Sequence, residues 1–157
     1  IRIENFEKNS VTNFKLNLLD LNDETIHIPP ASFDSQITMP STDFQKLCRD
    51  MAGLADVLEI KSLENLLIFS CKGDFCTQET KLGQTSNGMT FVKNNNPNMI
   101  VQGYFALKHL VLFTKCTNLC NSIELYLKNN YPLIICYSVA SLGNIKLCLA
   151  PLQNNCF

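Results

Sequence analysis

The residues that could do chemistry in this chain are eight cysteines, two histidines and a small set of lysines and arginines. The cysteines fall at Cys48, Cys71, Cys76, Cys116, Cys120, Cys136, Cys148 and Cys156. No two form the C-x-x-C pair that makes half of a tetrahedral thiolate site, and neither His27 nor His109 stands at zinc-finger spacing from a cysteine pair. Cys116 and Cys120 lie close enough to His109 in sequence to form a Cys–His nucleophile, but nothing nearby would lower a thiol pKa. Acid–base catalysis draws on histidine or paired carboxylates. Here His27 falls in a connector and His109 on a helix, so the chain is not expected to be an enzyme. Cys48, Cys136 and Cys148 lie in segments with core patterning, where a free thiol serves as a small buried hydrophobe.

The cations offer a different chemistry. Lys46 and Arg49 are three residues apart, and Lys108 and Lys115 seven apart, which puts each pair on one side of a helix. Four basic residues on solvated helix faces are ordinary in themselves, and spacing alone does not assign them a ligand. The net charge is −1, so a nucleic-acid role requires cations gathered on one surface and acids kept elsewhere.

The elements that position these groups follow from periodicity. With 157 residues, 46% hydrophobic and 17% charged, the chain has the size and apolar content of one folded domain rather than a disordered segment. No apolar run approaches the roughly 18 residues of a membrane span. The chain opens on Ile1-Arg2-Ile3-Glu4-Asn5-Phe6, which reads as a strand interior and suggests that its natural N-terminus lies further upstream; nothing there resembles a signal peptide. Phe14, Leu16 and Leu18 alternate with polar residues, as do Ile123, Leu125 and Leu127, and Ile145, Leu147 and Leu149. Leu133–Tyr137 is a continuous apolar run. Shorter strands are expected at Ile37–Met39, Val57–Lys61, Leu66–Cys71, Phe75–Leu82, Thr90–Val92 and Met99–Gly103.

Two segments carry the helical period instead. Thr42–Met51 places Phe44, Leu47, Cys48 and Met51 at i, i+3, i+4 and i+7, with Thr42 and Gln45 at capping-box spacing. Phe105–Lys115 contains Leu107, Leu110, Val111 and Phe113. The order predicts two strand–helix–three-strand units, Ser35–Leu82 and Thr90–Pro151, in an α+β domain. Asp20–Phe33 mixes acids with Pro29 and Pro30 and reads as an extended connector. Asn94–Asn98 reads as a hairpin tip.

A series of short matches now becomes informative. Leu18-Leu19-Asp20-Leu21, Ile28-Pro29, Met39-Pro40-Ser41, Phe44, Cys48-Arg49-Asp50, Phe69-Ser70, Gln84-Thr85-Ser86-Asn87, Phe105-Ala106-Leu107, Phe113-Thr114-Lys115, Pro132-Leu133, Gly143 and Leu149-Ala150-Pro151 occur in the order and spacing of one family. The chain resembles proliferating cell nuclear antigen (PCNA), the eukaryotic-type sliding DNA clamp, cellular or from a large DNA virus, over essentially its whole length.

The resemblance implies a clamp fold with helices on one side and antiparallel sheets on the other, in a homotrimeric ring around double-stranded DNA. It assigns residues 1–19 to the last strands of a truncated first domain, 20–33 to the interdomain connector and 34–157 to the second domain. Lys46, Arg49, Lys108 and Lys115 match the DNA-facing positions, although Val111 and Leu112 make that wall less polar. Ile26, Ile28, Pro29, Phe33, Pro132, Ala150 and Pro151 match a groove for short docking peptides. Partners of this kind are a replicative DNA polymerase, the clamp loader, flap endonuclease and DNA ligase. His27 and Leu152-Gln153 depart from the pattern there. Phe14, Met51, Leu54 and Phe75 match the subunit junction, where the strand Val11–Leu18 pairs with Phe75–Leu82 of a neighbour. Glu64 stands where many relatives carry a modified lysine. No cofactor, metal or membrane contact is implied, and the location is the nucleus or a viral replication site. The alternatives are a processivity factor that binds DNA without a ring and, more remotely, a cysteine-dependent enzyme.

Overall fold

Alternation in the sequence becomes alternation in burial. In the computed structural model, which describes residues 1–17, 31–94 and 98–152, strand β3 (Ser35–Pro40) buries Ser35, Ile37 and Met39 and turns the residues between them outward. The chain divides into two units, residues 1–31 and residues 32–157.

The first unit contains one hairpin, β1 (Arg2–Asn5) with β2 (Ser10–Asn13), in antiparallel register from Arg2↔Asn13 to Asn5↔Ser10. The Ile1 ammonium donates to the Phe14 carbonyl at 2.8 Å, and the Phe14 amide donates to the Ile1 carbonyl at 2.7 Å. The strand expected to run through Leu18 is regular over Ser10–Asn13, and Leu18 itself lies outside the described residues. Ile3, Phe6, Val11 and Phe14 are all more than half exposed. A two-stranded hairpin cannot cover both of its own faces.

The second unit holds two antiparallel sheets and a helical layer. Its elements run β3, α1 (Ser41–Ala52), β4 (Val57–Leu63), β5 (Leu66–Lys72), β6 (Thr77–Gly83), β7 (Thr90–Asn94), β8 (Val101–Ala106), α2 (Leu107–Phe113), a 3-10 helix (Thr114–Leu119), β9 (Ser122–Leu127), β10 (Leu133–Val139) and β11 (Gly143–Leu149). The five-stranded sheet has the order β11-β10-β9-β3-β7, and the four-stranded sheet the order β6-β5-β4-β8. Each strand that leads into a helix is therefore lent to the other half's sheet: β3 pairs with β9, and β8 pairs with β4.

Three expectations are corrected here. The two units do follow strand–helix–three strands, but the second begins at Val101, and β7 is an additional edge strand on β3. Most of the expected Asn94–Asn98 hairpin tip lies outside the described residues, but the strands flanking it do not pair with each other: β7 pairs with β3 in one sheet and β8 with β4 in the other. The capping box does not form. Helix α1 begins one residue earlier, with Pro40 at its N-cap and no side-chain cap bond. Gln45 reaches away to another element, as described below.

The core lies between the sheets and under α1 and α2. Phe44, Cys48 and Met51 fill it from α1, Phe69 and Leu67 from β5, Phe105 from β8 and Tyr137 from β10, all at most 2% exposed. Phe44 and Phe69 meet with ring centroids 6.3 Å apart. Cys48 and Cys136 are buried as expected, but Cys148 is exposed. On edge strand β11 it shares parity with Lys146, while Leu147 and Leu149 turn inward.

Candidate functional site

Three surfaces collect the residues singled out above. The first is the helical layer, where α1 packs against both α2 and the 3-10 helix. Lys46 and Arg49 on α1, Lys108 on α2 and Lys115 on the 3-10 helix are all exposed, and none belongs to an ion pair among the described residues. Of the sheet lysines, Lys61 pairs with Glu59 at 3.3 Å and Lys81 with Glu79 at 2.8 Å, while Lys72 and Lys146 belong to no ion pair among the described residues. Asp43 and Asp50 offset the two cations of α1, so its formal charge is zero. The segment 107–119 carries Lys108 and Lys115 with no acid. The positive potential of the layer thus comes from its second half. Leu112, 52% exposed and one turn from Lys108, interrupts the basic surface.

The second helix is shorter than its periodicity suggests, because its axis changes type at Thr114. The Thr114 hydroxyl donates to the Val111 carbonyl at 2.8 Å, a back-bond that competes with the regular ladder. The Thr114 carbonyl accepts the Thr117 hydroxyl at 2.6 Å and Gln45 Nε2 at 2.9 Å. Tyr137 adds a bond from its hydroxyl to the Phe113 carbonyl at 3.1 Å. Lys108 and Lys115 therefore do not share one regular helix, and their seven-residue spacing alone does not fix their relative direction.

The second surface surrounds Phe33. Its ring meets Tyr126 at 5.3 Å and Tyr131 at 5.6 Å, both edge-on. Pro132 follows Tyr131, and the pairing of Leu133 with Leu149 brings Pro132 and Ala150 to neighbouring strand ends. Ile26, Ile28 and Pro29 lie outside the described residues. Tyr126 donates to Glu124, with Gln36 Nε2 3.3 Å from the same carboxylate. Burial, then the bond to Glu124, pushes the Tyr126 phenol well above its ordinary pKa. This hydroxyl is a fixed donor at neutral pH.

Beside this cluster a depression of about 650 Å³ is lined by Tyr104, Tyr131, Asn129, Pro151 and Leu152 among others. The outer edge of β8 is partly closed there. Asn129 Oδ1 accepts from the Gln102 amide at 2.8 Å and Asn129 Nδ2 donates to the Ile100 carbonyl at 2.9 Å. The Leu152 amide donates to the Tyr104 carbonyl at 2.7 Å. Tyr104, Tyr126 and Tyr131 were not anticipated. The parity of Tyr126 with Glu124 on an amphipathic strand, and of Tyr131 before Pro132, was the available signal.

The third surface is the open edge of β6. Phe75 is fully exposed and Leu54 is 41% exposed. A depression of about 550 Å³ lies where the end of α1 meets the β5–β6 turn, lined by Leu54, Asp56, Lys72, Gly73 and Asp74 among others. Met51 does not belong to this surface. It has no exposed area and packs in the core, because it continues the Phe44–Cys48 stripe of α1. Its carbonyl accepts the Leu54 amide at 3.0 Å.

Burial pushes the Cys48 thiol up to about 12, and burial with the Glu124 charge raises Cys136. Among the described residues no group of three histidine, cysteine or acidic side chains is arranged to hold a metal.

The clamp-type arrangement of helices and antiparallel sheets agrees with a direct comparison. Residues 27–152 match the family described as proliferating cell nuclear antigen, C-terminal domain, and the chain belongs to that family. It is 36% identical over 156 residues to the probable DNA polymerase sliding clamp 1 of Paramecium bursaria Chlorella virus 1, covering 97% of this chain and 58% of that protein. It is 34% identical over 151 residues to the probable DNA polymerase sliding clamp of Acanthamoeba polyphaga mimivirus, covering 96% of this chain and 32% of that protein. The chain thus spans between about a third and three fifths of these relatives.

Proposed function

We propose that this chain is the C-terminal part of a sliding-clamp subunit, a non-enzymatic processivity factor whose intact form encircles duplex DNA as a homotrimer. Residues 1–19 are the last strands of the first clamp domain, 20–33 the connector, and 34–157 the second domain. The observation that carries this reading is the helical layer. Its four cations, one pair on α1 and one on the segment that follows α1 in space, are exposed and belong to no ion pair among the described residues. Cations that remain hydrated and mobile can exchange one phosphate for the next, which sliding requires.

The Phe33–Pro132–Ala150–Pro151 region, with Ile26, Ile28 and Pro29 of the connector, receives short peptides from a replicative polymerase, the clamp loader, flap endonuclease and ligase. Phe75, Leu54 and the β6 edge receive the hairpin strand of a neighbouring subunit that carries Phe14. The protein works in the nucleus or at a viral replication site.

The test is topological. After loading, the full-length protein containing this chain is expected to remain on circular DNA and to be lost when the circle is cut. Equal retention on circular and linear DNA would favour binding without a ring.

A further inference from the structure

Helix α1 is bound to the second helical segment by two polar side chains one turn apart. Ser41, 1% exposed, donates through its hydroxyl to the Cys120 carbonyl at 2.7 Å, with the Thr117 and Asn121 carbonyls each at 3.3 Å. Its amide donates to the Asn121 carbonyl at 3.0 Å. Gln45 donates to the Thr114 carbonyl at 2.9 Å. Together they hold carbonyls at both ends of the 3-10 helix Thr114–Leu119. The carbonyls at the end of a helix otherwise need water or a turn as partner.

The two contacts differ in kind. Ser41 lies at the buried start of α1 and closes the chain after the 3-10 helix. Gln45 is half-buried, next to Lys46, and reaches the residue immediately before Lys115. We propose that Gln45 is a positioning residue for the basic surface: its carboxamide fixes the 3-10 helix against α1, so that Lys115 engages the same duplex as Lys46 and Arg49. This role rests on the DNA-facing reading above. Rotation per residue rises from about 100° in an α-helix to about 120° in a 3-10 helix. A relaxed joint at Thr114 would therefore redirect Lys115 while leaving Lys108 in place.

Gln45→Met keeps the length of the side chain and removes the donor. Two measurements on the full chain test the role. Hydrogen exchange at amides 114–120 is expected to quicken at least tenfold in Gln45→Met, with core amides in β4 and β10 unchanged. Association with a labelled duplex is then followed against salt, where each lost phosphate contact reduces the log–log slope by about 0.9. Lys115→Ala should cause that loss in the parent chain and much less of it in the Gln45→Met background. Unaltered exchange in Gln45→Met overturns the clamp between helices. Equal effects of Lys115→Ala in both backgrounds overturn the positioning role alone. Absence of duplex association in the parent chain overturns the DNA-facing reading, and this role with it.

Discussion

The α-carbon of Gly73 sits beneath the carbonyl of Leu54: a β-carbon built on Gly73 would lie 2.0 Å from the Leu54 oxygen and 3.0 Å from its carbonyl carbon. Both atoms are backbone, so neither can swing aside. Gly73→Ala should force the β5–β6 turn off the end of α1 and cost about 2 kcal/mol, within the range for overpacking. Gly53 is the control. Its nearest contact is the Asp50 oxygen at 3.5 Å and its φ is −75°, so Gly53→Ala should be neutral or slightly stabilising. Urea denaturation of both variants decides the matter.

The same turn bears on self-association. The hairpin leaves Val11 and Phe14 half exposed, and Phe75 is bare beside the open β6 edge. A strand donor and a strand acceptor on one chain make a heterologous contact, which extends unless rotation closes it. For residues 1–157 alone, as distinct from the intact subunit, light scattering should show mass rising with concentration without a plateau at three copies. Phe75→Asp should suppress the rise. A trimer that persists at nanomolar dilution would contradict this expectation.

For the basic layer, replacing Lys46 and Arg49 together with alanine should reduce the salt slope of duplex association by about 1.8, two contacts at about 0.9 each. Both side chains are exposed, so the melting temperature should barely move. An unchanged slope would remove α1 from the DNA-facing surface.

In the peptide groove, Ile28→Asp introduces a carboxylate among apolar connector residues and should abolish binding of a polymerase-type docking peptide. Phe33→Ala removes the ring that meets Tyr126 and Tyr131. It should weaken the peptide by at least tenfold, and calorimetric titration would reveal either effect. Full affinity in both variants would exclude this surface.

Alkaline pH should act through Cys48, whose thiol burial raises from an ordinary 9.0 to about 12. A folded-state pKa above the unfolded one means that the native protein keeps a proton the unfolded chain releases. This contribution is fully present below pH 9 and is lost between pH 9 and 12, at up to about 1.4 kcal/mol per pH unit. Denaturation curves at stepped pH should show a shallower decline in Cys48→Ala. At neutral pH Cys76, exposed at the turn, should react with a thiol reagent far sooner than Cys48.

Strands and helices with a strict period were legible in the sequence. Ile123, Leu125 and Leu127 turn inward as their alternation requires, and Phe44, Cys48 and Met51 form the buried stripe of α1. What escaped depended on partners distant in sequence. Gln45 has capping-box spacing from Thr42, yet its amide is taken by Thr114, 69 residues later. The 3-10 segment follows from hydroxyls bonding to nearby carbonyls, which leaves the apolar period untouched. Met51 matched a junction position but belongs to the core stripe, since its place on α1 was fixed by Phe44. Sequence spacing placed Lys46 and Arg49 on one helix, but Lys108 and Lys115 fall on different ones, because the change from α2 to the 3-10 helix at Thr114 leaves no mark in the apolar period.

The exchange of β3 and β8 between the two sheets also governs how the domain is made. Ser35 pairs with Leu127 and Pro40 with Ser122, so the first strand of the domain has its central neighbour only after some ninety further residues have been synthesised. Until then its Ile37–Met39 face has no cover from β9. Contacts this remote in sequence slow folding, because the loop must close before the pairing contributes. A chain cut between β7 and β8 should yield two fragments that are each insoluble alone and recover structure when refolded together.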